Sequence, residues 1–363
     1  MKILLLTDSF NVGGAQRQFV ALTKELNKYH EVEVIVFHPH TSHLEEEVKE
    51  LKIPIYKILK KSRFEIKFIG KLIKEVKNRN YDISISYLDT PNFYNEILKI
   101  AGVVPKIIIS QRSAYFKKTL TFKKKVLEYF HTFADVISTN SISQAERMKE
   151  CFPFLSEKIV YTPNIYNIPK IPISSTKDKK VKFIVVSNTH YYKNPLKLCE
   201  AVLAYSQKYG EPKFKIDWFG RISSNEKDKL VMEKGLSLLE EKGLEKVLTF
   251  KGVTNEIYSK INMADALIHL SDFEGCPNSV CEAMFLKKPV LLSNVCDHPI
   301  LVSNENGFLL DQKNPIDIAE KIHEFFQKEE NEIKEMGERS YQLIKKQMSK
   351  EVTIQKWLNL IKN

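Results

Sequence analysis

The segment that follows the apolar stretch Ala266–Leu270 combines two carboxylates with a helix start, a pattern that suits recognition of anions and hydroxyls. The stretch itself is predicted as a buried strand. Pro277–Ser279 is typical of a helix N-terminus. The free backbone N–H groups of Asn278, Ser279 and Val280 are therefore predicted to form an anion site.

Glu274 lies in the loop before this helix start, and Glu282 lies about one turn inside it. An anion bound there would have a carboxylate on each side. Because one carboxylate can accept two hydrogen bonds from a diol, the pair suits sugar hydroxyls. A nucleotide sugar has this layout of ribose diol, diphosphate and sugar hydroxyls. The alternative is a surface loop whose acidic residues only stabilise the helix N-terminus through its dipole.

A second candidate anion site follows the first predicted strand, Lys2–Thr7. The loop Asp8–Gln16 contains the paired glycines Gly13 and Gly14 before a predicted helix. Paired glycines allow backbone N–H groups to approach a ligand closely. The loop matches neither the dinucleotide fingerprint nor the Walker motif. A tight strand-to-helix turn is the alternative interpretation.

Short apolar runs alternate with amphipathic segments along the chain, which predicts parallel sheets covered by helices on both faces. The predicted strands are Lys2–Thr7, Glu31–Phe37, Asp82–Tyr87, Pro105–Ser110, Asp135–Thr139, Val181–Ser187, Phe214–Phe219, Val247–Lys251, Ala266–Leu270 and Pro289–Ser293. The predicted helices are Ala15–Lys28, Glu65–Asn78, Phe122–Phe133, Pro195–Lys208, Glu226–Glu241, Glu256–Ile261, Ser279–Leu286, Pro315–Gln327 and the tail Asn331–Lys362.

A proline-rich connection, Tyr161–Asp178, interrupts the alternation near the middle of the chain. The length also exceeds what one hydrophobic core usually serves. We expect an α/β fold of two tandem Rossmann-like domains, 1–165 and 166–345, that face each other across a cleft. A last helix, 346–363, is expected to pack back on the first domain. Ligands of such sheets bind outside the strand carboxyl ends.

Glu274 and Glu282 match the E-x7-E motif of family 4 glycosyltransferases, which are retaining enzymes with the GT-B fold. The resemblance covers most of the chain weakly and Lys251–Asp311 specifically. Four further segments resemble elements of that family, namely Asn11–Ala15, Val160–Asn164, Lys288–Leu291 and Asn306–Leu310. The resemblance implies transfer of a sugar from a UDP-sugar or GDP-sugar to an acceptor hydroxyl, with no further cofactor and no metal.

By the same resemblance, Glu274 would contact the transferred sugar and Lys193 would neutralise the departing diphosphate as the catalytic pair. Glu282 would bind the ribose. Asn188 stands where the family usually has an arginine, so the second cation would come from Arg221 or His190. The full set of predicted donor-binding residues is Glu282, Asn278, Ser279, Val280, Asn188, Arg221, Val253 and Gly14.

The first domain is expected to bind the acceptor. Many relatives carry a histidine after a strand of this domain, whereas the loops Tyr87–Asn92 and Ser110–Ser113 contain none, so an imidazole base is not expected. Arg112 is interpreted as binding an acceptor phosphate, or alternatively as a surface arginine. The predicted acceptor-binding residues are Gly13, Asp89 and Arg112. We interpret three nearby histidines as solvated side chains and not as metal ligands, namely His38, His40 and His43.

The formal charge is +11, and residues 1–165 contribute +8 of it, with 26 basic against 18 acidic side chains. Two basic stretches with interleaved aromatic residues, 57–80 and 112–130, are predicted to contact an anionic membrane surface. Solvated helix faces are the alternative. Such a surface suits a lipid-diphosphate-linked saccharide acceptor, as used in surface-polysaccharide assembly.

We expect a cytoplasmic protein that is peripheral on the inner face of the plasma membrane. No apolar run approaches the ~18 residues of a membrane span. The five scattered cysteines fit a reducing compartment. No zinc-finger or RNA-binding signature points to nucleic acid as a partner. Two rival functions stay open: a nucleotide-sugar epimerase of the same fold, and a non-catalytic protein that binds a polyanion.

Overall fold

The computed structural model contains two α/β units, each built on a parallel sheet. The first unit comprises Met1–Ile165 and Lys350–Asn363, and the second comprises Tyr166–Ser349. The structure describes residues 1–11, 13–38, 43–59, 66–112, 128–169, 171 and 181–363.

The first unit contains a seven-stranded parallel sheet with the order β3-β2-β1-β4-β5-β6-β7. Its strands are β1 (Lys2–Thr7), β2 (Glu31–Val36), β3 (Ile55–Lys57), β4 (Ile83–Tyr87), β5 (Lys106–Gln111), β6 (Val136–Thr139) and β7 (Ile159–Tyr161). Leu5 lies opposite both Val34 and Ile85, which places β1 in the sheet interior. The order reverses between β1 and β4.

The second unit repeats this winding in a six-stranded parallel sheet with the order β10-β9-β8-β11-β12-β13. Its strands are β8 (Val181–Val186), β9 (Phe214–Phe219), β10 (Leu248–Gly252), β11 (Ala266–His269), β12 (Val290–Ser293) and β13 (Gly307–Leu310). The order reverses between β8 and β11. Both units are Rossmann-like, and the predicted fold class is confirmed at this level.

Helices cover the two sheets. Those of the first unit are α1 (Gly14–Leu26), α2 (His43–Lys49), α3 (Ile66–Lys77), α4 (Asp89–Ile100), α5 (Ile142–Cys151) and, at the end of the chain, α13 (Lys350–Lys362). Those of the second unit are α6 (Pro195–Tyr209), α7 (Glu226–Glu240), α8 (Ile257–Asn262), α9 (Asn278–Phe285), α10 (His298–Leu301), α11 (Pro315–Phe326) and α12 (Glu330–Met348). Short 3-10 turns are formed by His131–Phe133, Pro153–Lys158 and Tyr191–Lys193.

The C-terminal tail is two helices, where the sequence predicts one. Ser349 has an extended backbone (φ −58°, ψ 153°) and separates α12 from α13. α13 buries Ile354 and Trp357 in the core of the first unit, and Trp357 stacks on Tyr87 at 6.4 Å between ring centroids. The break therefore lets the chain finish in the unit where it began.

Several elements escape the sequence pattern. β3, β7 and β13 have three or four residues each, too few to show a period. The sequence pattern does not predict α4, because the inner face of this helix is polar. Asn92 accepts a hydrogen bond from Ser86 Oγ at 2.8 Å, and Asn95 Nδ2 donates to that same Oγ at 3.1 Å. The predicted helix Phe122–Phe133 and both basic stretches lie partly outside the described residues.

Two helix glycines provide a matched test of packing. A Cβ on Gly337, in α12, would lie 2.1 Å from the carbonyl oxygen of Lys287, whereas a Cβ on Gly70, in α3, would meet nothing within 4 Å. We expect Gly70→Ala to stabilise by about 1 kcal/mol, because alanine is the better helix former. Gly337→Ala should destabilise by about 1–3 kcal/mol through overpacking. Urea unfolding of both variants checks this, and shifts of the same sign would contradict it.

Candidate functional site

The loops after β8 and β11 emerge from neighbouring strands at the carboxyl edge of the second sheet. The two strands pair directly, with Ile184 opposite Leu267, and the strand order reverses between them. In open parallel sheets, ligands bind outside the strand ends at such a reversal. Lys193 comes from the first of these loops and Glu274 from the second. The topology thus brings together two side chains that are far apart in sequence.

Lys193 and Glu274 form an ion pair between Nζ and Oε1. Their side chains are only 12% and 17% exposed. Burial lowers the pKa of Lys193 to about 7, and the contact with the Glu274 carboxylate opposes that shift because it favours the charged ammonium. The pair places a largely desolvated cation and a carboxylate next to each other.

Two residues that the sequence analysis did not single out also contact Glu274. His269 Nε2 lies 2.8 Å from the same Oε1 atom, and the backbone N–H of Glu274 points to Cys296 Sγ at 3.3 Å. Burial lowers the pKa of His269 well below its ordinary value, so its ring is neutral. No sequence signal identifies His269, because a histidine in an apolar strand looks like a core residue.

The loop that carries Lys193 is held on the loop that carries Glu274. Asn194 has a left-handed backbone (φ 56°), and its Nδ2 donates to Asp272 Oδ1 at 3.0 Å. The backbone N–H of Asp272 donates to the carbonyl of Tyr192 at 2.9 Å. The rings of Tyr192 and Phe273 stack at 4.6 Å. These contacts fix the backbone on both sides of the ion pair.

Asp228, in the first turn of α7, anchors the other side of the Lys193 loop. It accepts hydrogen bonds from His190 Nδ1 at 2.9 Å, from the Tyr191 backbone N–H at 2.8 Å and from Ser223 Oγ at 2.6 Å. Burial alone would raise the pKa of Asp228, but these donors outweigh it and lower that pKa. His190, one of the two candidates for a second cation, is therefore engaged by Asp228.

Arg221, the other candidate cation, has an exposed side chain. Its backbone N–H donates to Asn188 Oδ1 at 3.1 Å, so Asn188 fastens the loop after β9 to the loop after β8. The two loops approach closely, since a Cβ on Gly220 (φ 152°) would lie 2.0 Å from the carbonyl oxygen of Ser187. Asn188 therefore connects two loops through the Arg221 backbone, whereas the arginine usual at this position would add a positive charge.

The helix start predicted near Asn278 is present as α9, with Pro277 as its N-cap in extended conformation (φ −71°, ψ 126°). The backbone N–H groups of Asn278, Ser279 and Val280 lie in the first turn, where the helix offers them no carbonyl partner. Glu282 is half-buried and accepts a hydrogen bond from the Tyr258 hydroxyl at 3.3 Å.

Val253 follows β10 directly and is 73% exposed, a high value for an apolar side chain. Gly252 before it has a positive φ of 72°. The adjacent strands β10, β9, β8 and β11 therefore carry, in their following loops, one candidate each. In strand order these are Val253, Arg221, Lys193 and Glu274.

In the first unit, the strand order reverses between β1 and β4, and two predicted acceptor residues lie behind these strands. Gly13 immediately precedes α1, and Gly14 is its first residue. Asp89 is the first residue of α4, although the sequence suggested a loop there, and Leu88 before it has a φ of 77°.

Arg112 is held against the first unit by three contacts. Its NH1 group donates to Asn164 Oδ1 at 2.7 Å, its Nε donates to Ser110 Oγ at 2.8 Å, and the guanidinium lies over the Tyr87 ring at 4.6 Å. A histidine that sequence reasoning missed, His131, is buried nearby, with Nε2 3.3 Å from Gln111 Nε2.

The Glu96 carboxylate lies 2.5 Å from Nδ1 of His131. Burial would lower the pKa of His131, but the carboxylates of Glu96 and Glu128 outweigh it and raise that pKa. His131 is 4% exposed, and the carboxylates of Glu96 and Glu128 lie beside its two ring nitrogens.

Within the described ranges, no cluster of three or more histidine, cysteine, aspartate or glutamate side chains is suited to bind a metal ion. A search of the same ranges finds no helix with the length and apolar character to cross a bilayer. His38 is exposed, whereas His40 and the side chain of His43 lie outside the description.

Two family models match successive parts of the chain. Residues 12–168 match the model described as glycosyltransferase family 4, and residues 167–343 match that of glycosyl transferases group 1. The junction between the matches falls where the first unit passes into the second.

Curated relatives match most of the chain. A Campylobacter jejuni enzyme named GalNAc-alpha-(1->4)-GalNAc-alpha-(1->3)-diNAcBac-PP-undecaprenol alpha-1,4-N-acetyl-D-galactosaminyltransferase is 26% identical, over 99% of this chain and 98% of its own length. The poly(ribitol-phosphate) alpha-N-acetylglucosaminyltransferase of Staphylococcus aureus is 27% identical over 81% of this chain, which spans only 57% of that relative.

Solved structures with the same fold cover the whole chain. Anabaena HepE in complex with UDP and glucose superposes with a TM-score of 0.82 at 16% identity, over 100% of both chains. A point mutant of S. aureus TarM, in complex with Fondaparinux, alpha-GlcNAc-glycerol and UDP, superposes with a TM-score of 0.78 at 15% identity, also over 100% of both chains.

The anchoring of the Lys193 loop by Asp228 can be tested against another carboxylate in the same helical turn. Asp228→Ala should destabilise by about 1–3 kcal/mol, because buried donors lose their acceptor. Glu226→Ala removes an exposed carboxylate from that turn and should cost less than about 1 kcal/mol.

The Asp228→Ala effect should also depend on pH. Since the pKa of Asp228 is lowered in the folded state, its stabilisation is present above pH ~4 and is lost as the pH falls. Denaturant unfolding at pH 7 and in acid measures this. If Asp228→Ala and Glu226→Ala lowered the free energy of unfolding equally at pH 7, the proposed anchoring of the Lys193 loop by Asp228 would be wrong.

Proposed function

We propose that this chain, a family 4-like glycosyltransferase of the GT-B fold, transfers a sugar from a nucleoside diphosphate sugar to an acceptor hydroxyl with retention at the anomeric carbon. The observation that carries the proposal is the buried Lys193–Glu274 pair at the strand-order reversal of the second sheet. The domain matches and the named relatives support the coarser statement that it is a glycosyltransferase for polysaccharide or lipid-linked acceptors.

The carboxyl ends of β10, β9, β8 and β11 form a row whose length is close to that of a nucleotide sugar. Neighbouring strands lie about 4.8 Å apart, so four of them span about 14 Å. On this proposal, Val253 lies beside the base, Arg221 and Lys193 beside the diphosphate, and Glu274 beside the sugar. Glu282 binds the ribose, and the first turn of α9 binds a phosphate through Asn278, Ser279 and Val280.

Lys193 would stabilise the charge that develops on the diphosphate as the glycosidic bond breaks. A preorganised cation in a water-poor site does this more effectively than solvent, because no reorganisation is needed. The contacts of Glu274 with described residues use its Oε1 atom or its backbone N–H. Its other carboxylate oxygen, Oε2, takes part in none of these contacts. We assign that oxygen to a sugar hydroxyl.

For the donor, we propose a UDP-N-acetylhexosamine first and a UDP-hexose second. Two relatives are named as N-acetylhexosaminyl transferases, and solved neighbours hold UDP, with glucose or alpha-GlcNAc-glycerol. For the acceptor, we propose a saccharide linked to a lipid diphosphate or a surface polysaccharide. We assign Gly13, Asp89 and Arg112 of the first unit to it.

A thermal-shift panel of UDP, GDP, ADP and their sugars, followed by transfer assays, tests the proposal. Lys193→Ala and Glu274→Gln should each lower the transfer rate by about 10²–10³-fold. Lys197→Ala, which removes a lysine from the surface pair with Glu200, should leave the rate unchanged. Conversion of donor to an isomeric nucleotide sugar without acceptor would favour an epimerase, and parental rates in both site variants would refute the proposal.

We further propose that the first unit contacts an anionic membrane through α3. Four exposed lysines, Lys67, Lys71, Lys74 and Lys77, are spaced so that they share one side of this helix. The opposite side buries Phe68, Leu72 and Val76. Each lysine near an anionic surface contributes about 1 kcal/mol to binding.

Vesicle sedimentation tests this contact. The protein should bind phosphatidylglycerol vesicles at low salt and be released at higher salt, because screening weakens the attraction. Glutamine at Lys67, Lys71 and Lys74 should abolish binding. Glutamine at the exposed residues Lys229, Lys234 and Lys242 changes the net charge equally and should not. Equal binding to neutral vesicles would refute the contact.

A further inference from the structure

We propose that His269 is a positioning residue that orients the Glu274 carboxylate for sugar transfer. The inference rests on the proposed function of Glu274 and adds a residue that the E-x7-E motif does not contain. His269 ends β11, and its side chain is 2% exposed. It lies directly behind Glu274, with Nε2 2.8 Å from Oε1.

The tautomer of His269 follows from its surroundings. Burial and the nearby Lys193 charge lower the pKa of the ring well below its ordinary value, so it carries a single N–H. Nε2 faces a carboxylate oxygen, which accepts hydrogen bonds when ionised. The N–H is therefore on Nε2 and donates to Glu274, while Nδ1 is an acceptor.

Nδ1 of His269 is buried and has no hydrogen-bond partner in the part of the chain that the structure describes. A buried polar atom without a partner is costly, and such atoms are rare in folded proteins. An apolar side chain would fill this strand position without that cost, as Leu267 does on the same face of the sheet. The hydrogen bond to Glu274 is the contact that an apolar residue could not make.

His269 and Lys193 both donate to Oε1 of Glu274, which fixes the plane of the carboxylate and leaves Oε2 for the substrate. The imidazole is itself held in place. The ring of His298 packs edge-on against it, with 5.6 Å between centroids. His298 in turn lies with Nδ1 2.8 Å from the carbonyl oxygen of Ser293, at the end of the adjacent strand. The support for Glu274 thus extends from β11 to β12.

Two amide variants of His269 test whether it acts by its hydrogen bond to Glu274 or only by filling space in the core. In His269→Gln, the amide nitrogen lies near the position of Nε2 and can still donate to Glu274. In His269→Asn, the amide is one bond shorter and cannot reach. Both variants bury a neutral amide, so their effects on packing are similar. We expect His269→Gln to keep most of the parental kcat, and His269→Asn to lose about 10²-fold, the effect of a misplaced reacting group.

UDP binding distinguishes a positioning role from a merely structural one, because a substitution that disrupts the site as a whole would also weaken UDP binding. UDP lacks the sugar, so the thermal shift that it causes should be the same in the parent, His269→Gln and His269→Asn, while kcat differs between the two variants. Equal kcat in both variants, or a loss of the UDP shift that parallels the loss of kcat, would overturn the inference.

Glu274→Gln distinguishes this inference from the proposed function. If that variant is inactive while His269→Asn turns over like the parent, the positioning role alone fails. If Glu274→Gln keeps the parental rate, the proposed function of Glu274 fails, and the role of His269 fails with it.

Discussion

A lysine ammonium and a glutamate carboxylate are buried together behind two strand ends, and the local structure of the second domain is organised around that constraint. Either charge alone would be costly to desolvate, whereas the two together are tolerated. The pair is not explained as a stabilising device, because buried ion pairs are often no more stabilising than apolar residues of similar volume. Its position at the strand-order reversal, where ligands of parallel sheets bind, accounts for it better.

The two domains use one winding order for different chemistry. In the second, the reversal between β8 and β11 presents charged side chains and a helix start. In the first, the reversal between β1 and β4 presents the Gly13–Gly14 turn and the start of α4, and Arg112 follows the neighbouring strand β5. A buried lysine beside a helix start suits a diphosphate, and a glycine turn that lets the backbone approach a ligand suits a saccharide. The proposed division into donor and acceptor domains follows from this difference.

The sequence predicts the parts of this structure that depend on local pattern. Long apolar strands such as β1 and the helix start at Pro277–Ser279 are readable because a buried strand and a helix N-terminus each have a local composition. Contacts between distant segments are not readable in this way. The ion pair of Lys193 with Glu274 joins the loops after two different strands, and the bond from Asp228 to His190 joins a helix to a loop that precedes another helix. α4 is not readable for a different reason, namely that polar residues such as Asn92 and Asn95 form part of its buried face and weaken the apolar period.

A count of charge at the strand ends of the second domain shows why the helix start matters to the proposed function. Lys193 and Glu274 together are neutral, and His269 is neutral because it is buried. A diphosphate would therefore meet little net positive charge from this group. On the proposed function, Arg221, which is exposed, and the first turn of α9, which carries about half a positive charge, would supply the compensating charge.

The Glu274 carboxylate also competes with a bound phosphate for the Lys193 ammonium. On the proposed function, the ammonium would gain a second acceptor as negative charge grows on the leaving phosphate, so its interaction with the phosphate would strengthen along the reaction. Stabilisation that is larger in the transition state than in the ground state is what accelerates a reaction.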